Sequence, residues 1–155
     1  MDYSEWIIVA AVTIIFISAF ISFGVFGRKR RAVSDAMNML IPRALPAEGV
    51  RIPLIASYSG PKALAPVTFS HNNMFPQMTL FEDQFEYKVI LKRNAYYSDV
   101  ESLRAYKSRF YNRLIFKFFN TNLFFIAVLP DEELLDKILA FLAEKGIFPD
   151  ERSRL

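Results

Sequence analysis

The chain has 155 residues, 53% of them hydrophobic, with 19 basic, 16 acidic and no cysteine. Without cysteine, disulfides, thiolate metal sites and thiol nucleophiles are all excluded. Four of the basic and two of the acidic residues precede Ala32, leaving 15 and 14 after it, and so nearly neutral a remainder projects no field suited to nucleic acid.

Residues 1–5 read as an outer tail carrying Asp2 and Glu5. From Trp6 to Gly27 there are 22 consecutive positions without a charge. At ~1.5 Å per helical residue the run reaches roughly 33 Å, enough to cross a hydrocarbon core of ~30 Å. A cleaved secretory signal has its basic residues first and a shorter apolar run. Here the cluster Arg28, Lys29, Arg30 and Arg31 comes after the run, which is the order of a retained anchor. Cytoplasmic flanks collect Lys and Arg, so the expected topology is single-pass, with the N-terminus outside (periplasmic) and the C-terminal part cytoplasmic at a bacterial inner membrane. Trp6 sits where an interfacial aromatic would hold the outer end. Ala11, Ser18 and Ser22 share one helical face and form a candidate helix-packing surface, although small residues are common in such spans.

Residues 28–41 can continue the helix as a basic juxtamembrane extension. Pro42 stops it, and the five prolines between residues 42 and 66 predict an extended connector. Val50, Ile52, Leu54 and Ile55 are too apolar for a free tether, so the connector is expected to lie along the domain or along another protein.

The period then changes to two. Met78–Phe81 and a strand running from Phe85 through Leu91 flank Glu82-Asp83-Gln84 as a hairpin. Val100, Leu103 and Tyr106 mark a further strand. Arg113–Phe119 and Leu123–Leu129 form a second hairpin around Asn120-Thr121-Asn122. A second membrane crossing over Phe110–Leu129 is rejected because Arg113 and Lys117 would each cost about 2.5–3.5 kcal/mol at mid-membrane. Asp131 can cap a helix opening with Glu132 and Glu133, and Leu134, Leu135, Ile138, Leu139, Phe141 and Leu142 share its apolar face. Gly146 supplies the position after the helix, and 147–155 is a tail. The fold class is α+β: a bent antiparallel sheet or half-barrel over residues 67–146, closed by a C-terminal amphipathic helix.

The run MTLFEDQFEYKVILKRNAYYSDVESLRAY, then NRLIFKFFNTNLFFIAVLPDEELLDKILAFLAEKG, resembles a bacterial pleckstrin-homology-like (PH-like) domain. The likeness rests on the early hairpin, the Tyr97-Ser98-Asp99-Val100 element, the second hairpin and the closing helix. It implies a strongly bent sheet capped by that helix. Relatives that bind phosphoinositides carry a basic signature in the first hairpin, which Lys88, Lys92 and Arg93 match only in part. Head-group binding is therefore not implied, and the fold by itself assigns no function.

Motifs for chemistry are missing. His71 is the only histidine and reads as a solvent-facing loop residue. Glu82, Asp83 and Glu86 read as a solvated hairpin tip. Phosphate-loop, nucleophile-elbow and zinc-helix patterns do not occur. An enzyme is not expected, nor a cofactor, a metal or a small-molecule substrate. The most distinctive segment is Arg104, Lys107, Arg109, Arg113 and Lys117, five cations interleaved with aromatics. It is either the polar face of two strands or a patch for anionic lipid or an acidic partner.

The expected function is that of a non-catalytic accessory subunit of a larger integral-membrane complex, as in photosynthetic or respiratory assemblies. The alternatives are a membrane-tethered module binding anionic lipid or a peptide, and an assembly factor for a membrane complex.

Overall fold

β-Strands dominate because the chain from Val50 to Leu129 alternates apolar and polar residues over short runs broken by proline and polar turns. A computed structural model describes residues 41–42, 44–64, 70–72, 75–108 and 112–150. The expected span with Trp6, its packing face Ala11, Ser18 and Ser22, the cluster Arg28–Arg31, and Arg109 lie outside the described residues. Among those described, no helix is long and apolar enough to cross a membrane.

The architecture is α+β, with two antiparallel sheets and a C-terminal helix rather than a closed barrel. In chain order the strands are β1 (Val50–Ile52), β2 (Ala56–Pro61), β3 (Ser70–Asn72), β4 (Gln77–Leu80), β5 (Gln84–Lys88), β6 (Lys92–Tyr96), β7 (Val100–Tyr106), β8 (Asn112–Phe118) and β9 (Leu123–Leu129). Helix α1 spans Glu132–Glu144. One sheet has the order β1-β4-β5-β6 and the other β3-β2-β9-β8-β7. The chain changes sheet three times, once between β3 and β4 and twice at close corners. Pro53-Leu54-Ile55 passes it from β1 to β2, and a 3-10 turn over Tyr97–Asp99 passes it from β6 to β7.

The main core lies between the sheets and under the helix. Met78, Leu80, Phe85 and Tyr87 from the first sheet meet Leu114, Phe116, Phe118, Phe125 and Leu129 from the second, with Leu134, Leu135, Ile138 and Leu142 from α1. Its centre is aromatic: Phe85 lies 5.0 Å from Phe116 and Tyr87 lies 4.4 Å from Phe125, centroid to centroid, within the range where such pairs attract beyond their area. The helix forms as its sequence dictates. Asp131 Oδ1 accepts the Leu134 N–H at 2.7 Å, and Gly146 takes φ +81° just past the end.

Two segments depart from the sequence expectation. The stretch read as a connector contributes β1 and β2, and its prolines sit where no ladder donor is needed, Pro53 between the strands and Pro61 at the last position of β2. The strand expected through Leu91 stops at Lys88, turns over residues 89–91, and returns as β6. Upstream, Ile41, Leu45 and Val50 pack against the main core. Leu45 N–H donates to Glu82 Oε2 at 3.4 Å, and Lys145 ion-pairs with the same carboxylate. Gly49, at φ +75°, is needed here, because a Cβ would stand 2.8 Å from the Leu80 carbonyl oxygen.

Candidate docking surface

The second sheet carries apolar residues on both faces. Its outer face holds a separate cluster of Ala56, Ile115, Phe124, Ile126 and Val128, bordered by Ile55, Tyr58 and Tyr106. Cross-strand register sets the basic residues among them. One row runs Tyr106, Arg113, Val128, Ala56; the next Arg104, Ile115, Ile126, Tyr58; the third Ser102, Lys117, Phe124, Gly60. Arg104, Arg113 and Lys117 therefore share that outer face. Lys107 does not join them: its ammonium contacts Glu132 at 2.9 Å and Asp136 at 2.9 Å on α1. Those two carboxylates hold the Lys107 pKa above its ordinary value, Asp136 contributing most. Arg104 Nε lies 3.7 Å from Asp150, which follows the helix. Position divides the segment expected as one patch between an outer sheet face and a fastening to the helix.

His71 is on the edge strand β3 rather than in a loop, opposite Tyr58, with ring centroids 6.3 Å apart. Glu82 belongs to the clasp already described. The Lys145 hydrogen bond, the Leu45 N–H and the Lys145 charge together keep its pKa below the ordinary carboxylate value. Among the described residues, no three His, Asp or Glu side chains stand where they could share a metal ion.

The surface that stands out lies at one end of the molecule. Ile90 and Leu91, at the tip of the β5–β6 hairpin, are 66% and 68% exposed. Leu64, Phe75 and Phe119 are also more than half exposed and belong to connections at the same end. Phe75 precedes Gln77, which pairs with Lys88 at the base of the hairpin. Leu64 ends the 3-10 turn after β2, and the Lys62 N–H that opens that turn donates to Asn122 O at 2.6 Å, in the turn begun by Phe119. Tyr96 and Phe148 are the remaining exposed large apolar residues among those described, so five of the seven gather at this end. A monomer seldom displays so many together without a use for them.

Below the tip is a cleft of about 330 Å³ between β2 and the hairpin, lined on one side by Ser59, Gly60 and Pro61 and on the other by Tyr87, Val89 and Arg93. Burial raises the Tyr87 phenol, with the Arg93 charge opposing. The hairpin base is held in place, because buried Ser57 Oγ donates to Lys88 O at 2.8 Å. Lys88 and Lys92 face each other directly across the ladder. Lys92 is 2.7 Å from Glu86 Oε2, and Lys62 ion-pairs with Glu101. The end is thus apolar at its tip and mainly cationic around its base.

The sequence carried one signal for this tip. Val89-Ile90-Leu91 is an unbroken apolar triplet between Lys88 and Lys92, and strict alternation fails there. The chain matches no known family model and no curated protein.

Proposed function

We propose that the protein is a non-catalytic, single-pass accessory subunit of a larger integral-membrane complex. Residues 6–27 are its anchor, with the N-terminus outside and the α+β domain on the cytoplasmic side. The carrying observation is the way the connector is fastened. Ile41, Leu45 and Val50 pack on the core, and Leu45 is tied through Glu82 to Lys145 at the end of α1. Fourteen positions separate Gly27 from Ile41, a reach of about 21 Å if helical and at most about 50 Å if extended. A module meant to search freely for ligands would have a long polar tether. Here the domain-side end of the connector is fastened to the core and the remaining reach is short, as suits a clamp on a fixed neighbour.

A PH-like identity for the domain is part of the proposal. Supporting it are the β4–β5–β6 meander, the β7–β8–β9 meander, the closing helix, and a first segment that serves both sheets through β1 and β2. The five-stranded second sheet, with β3 added at its edge, departs from the simplest form of that plan.

The test is purification of the tagged full-length protein from its native membrane in mild detergent. An integral-membrane complex should accompany it in fixed stoichiometry and survive high salt, because the contacts are mainly apolar. Elution alone in a micelle, or loss of the partner in moderate salt, defeats the reading.

A further inference from the structure

We propose that the end carrying Ile90 and Leu91 is a protein-docking surface, and that its occupant is an extramembrane segment of the partner complex with an apolar centre and a rim of Asp and Glu. The inference rests on the accessory-subunit reading for the existence of that complex, and adds where this chain holds it and by what chemistry.

Position is the first argument. β5 runs from the turn at Glu82 to the tip at Ile90, and the connector is tied through Leu45 at the Glu82 end. Four residue steps along β5 alone put roughly 13 Å between the two turns. A domain tethered beside one turn holds the other outward from its tether, which favours a neighbour's extramembrane surface over the bilayer as what the tip meets.

Shape and composition agree. Hairpin connections favour Gly, Asn and Asp, which stay solvated, yet Ile90 and Leu91 are two-thirds exposed here while Val89 beside them is buried. Phe75 and Phe119, more than half exposed, add aromatic area at the same end, and protein interfaces are enriched in such residues at their centres. The cleft of about 330 Å³ lies alongside, with Tyr87 and Arg93 in one wall. A prong next to a hollow suits a protein surface that can seat a side chain in the hollow, the arrangement in which anchors contribute most. The Ser57–Lys88 hydrogen bond fixes the hairpin base, so little ordering is left to do on docking.

Charge selects the occupant. Like charges directly opposite on a ladder repel, and Lys88 faces Lys92 with Glu86 offsetting only the second. A second copy docked tip to tip would set these cations against their own counterparts, because a two-fold interface pairs a patch with itself. Carboxylates on a different protein relieve the repulsion and steer the approach.

The test uses the full-length chain in its native membrane, with Leu91 or Glu144 replaced by the photo-cross-linking residue p-benzoylphenylalanine. Glu144, exposed at the end of α1, is the reference position. Position 91 should cross-link to one protein of the complex, at an extramembrane peptide whose apolar centre is flanked by Asp or Glu, and position 144 should not. Ile90→Ser with Leu91→Ser should leave the circular dichroism unchanged and lower the retained complex by about tenfold. Changing Lys88, Lys92 and Arg93 to Glu should weaken retention more than changing them to Gln, and changing the cross-linked carboxylates to Lys should restore it.

Retention of the complex by the double serine variant at the wild-type level overturns the proposal and leaves the accessory-subunit reading intact. So do cross-links from position 91 to acyl chains alone, to a second copy of this chain, or to nothing while the complex co-purifies. If the wild-type protein elutes alone, the accessory-subunit reading fails. Cross-linking from position 91 to an acidic-rimmed peptide of some other protein would then still support the docking surface, and its absence would overturn that as well.

Discussion

Tyr97 shows how much one side chain can hold together. It is buried at the corner that passes the chain from β6 to β7, and its hydroxyl donates to Phe81 O at 2.9 Å. Its ring lies 5.8 Å from Phe141, with the Lys145 ammonium 6.0 Å from the ring centroid. Burial above all, then the Glu82 and Asp83 charges, drive its pKa far up from the ordinary 10.0, against a small opposing effect of the Phe81 hydrogen bond. A phenol whose pKa is raised on folding adds stability that is complete below its unfolded pKa and is lost as pH rises above it. Tyr87 shifts in the same direction through burial, and Lys107 through its two carboxylate partners. The expected outcome is alkaline destabilisation beginning above about pH 10, with tyrosine ionisation coinciding with loss of the fold. Absorbance at the phenolate band, followed together with circular dichroism, checks it. Tyr97→Phe should make the fall in stability with pH shallower by nearly one proton, at a cost near neutral pH of about 1 kcal/mol for the lost hydrogen bond.

At the level of elements, legibility in the sequence followed the burial pattern. Helix α1 was readable because one face is apolar, one is charged, and both ends carry their capping residues. β9 was readable because Leu123–Leu129 is an unbroken apolar run between polar turns, and the second hairpin expected in place of another membrane crossing is the β8–β9 pair. β6 was hidden: of Lys92–Tyr96 only Ala95 is buried, so an edge strand of this kind carries no period-two signal. β1 and β2 were hidden by prolines, which mark strand ends here as readily as they mark a linker. The basic segment was ambiguous because β8 and β9 bury both faces, placing Arg113 and Lys117 beside apolar neighbours rather than on an ordinary polar face. The apolar tip was missed because Leu91 continues the alternation of Phe85, Tyr87 and Val89, and only pairing shows that the strand has already ended. The helix gives this scale its prediction. Ile138 is fully buried between α1 and the sheets, so Ile138→Asp would bury a charge with no partner and should cost more than about 4 kcal/mol. Lys137, on the other side and paired with Glu133 at 2.8 Å, should tolerate Lys137→Asp within about 1 kcal/mol. Chemical denaturation of the two variants checks the contrast, and equal midpoints would refute the packing of α1.

For the whole molecule, the decisive quantity under the proposed single-pass reading is the side of the membrane on which the domain would stand. The four cations Arg28, Lys29, Arg30 and Arg31 follow an uncharged run long enough to cross a bilayer, while Asp2 and Glu5 precede it. Cationic flanks resist translocation whereas acidic ones weigh little, so the cluster alone should set orientation. A reporter fused after Leu155 is expected to be cytoplasmic, and changing all four cations to Asn or Gln should give a mixed population. The domain offers an internal control for that experiment. Neutralising Arg104, Lys107 and Arg113 removes three charges far along the chain, two on an outer sheet face and one fastened to the helix. Orientation should not respond to those changes, because charges count chiefly within ~15–20 residues of the span. Protease protection of intact and opened spheroplasts reads both variants. A wild-type reporter found outside the cell would overturn the proposed orientation and place the domain on the opposite face.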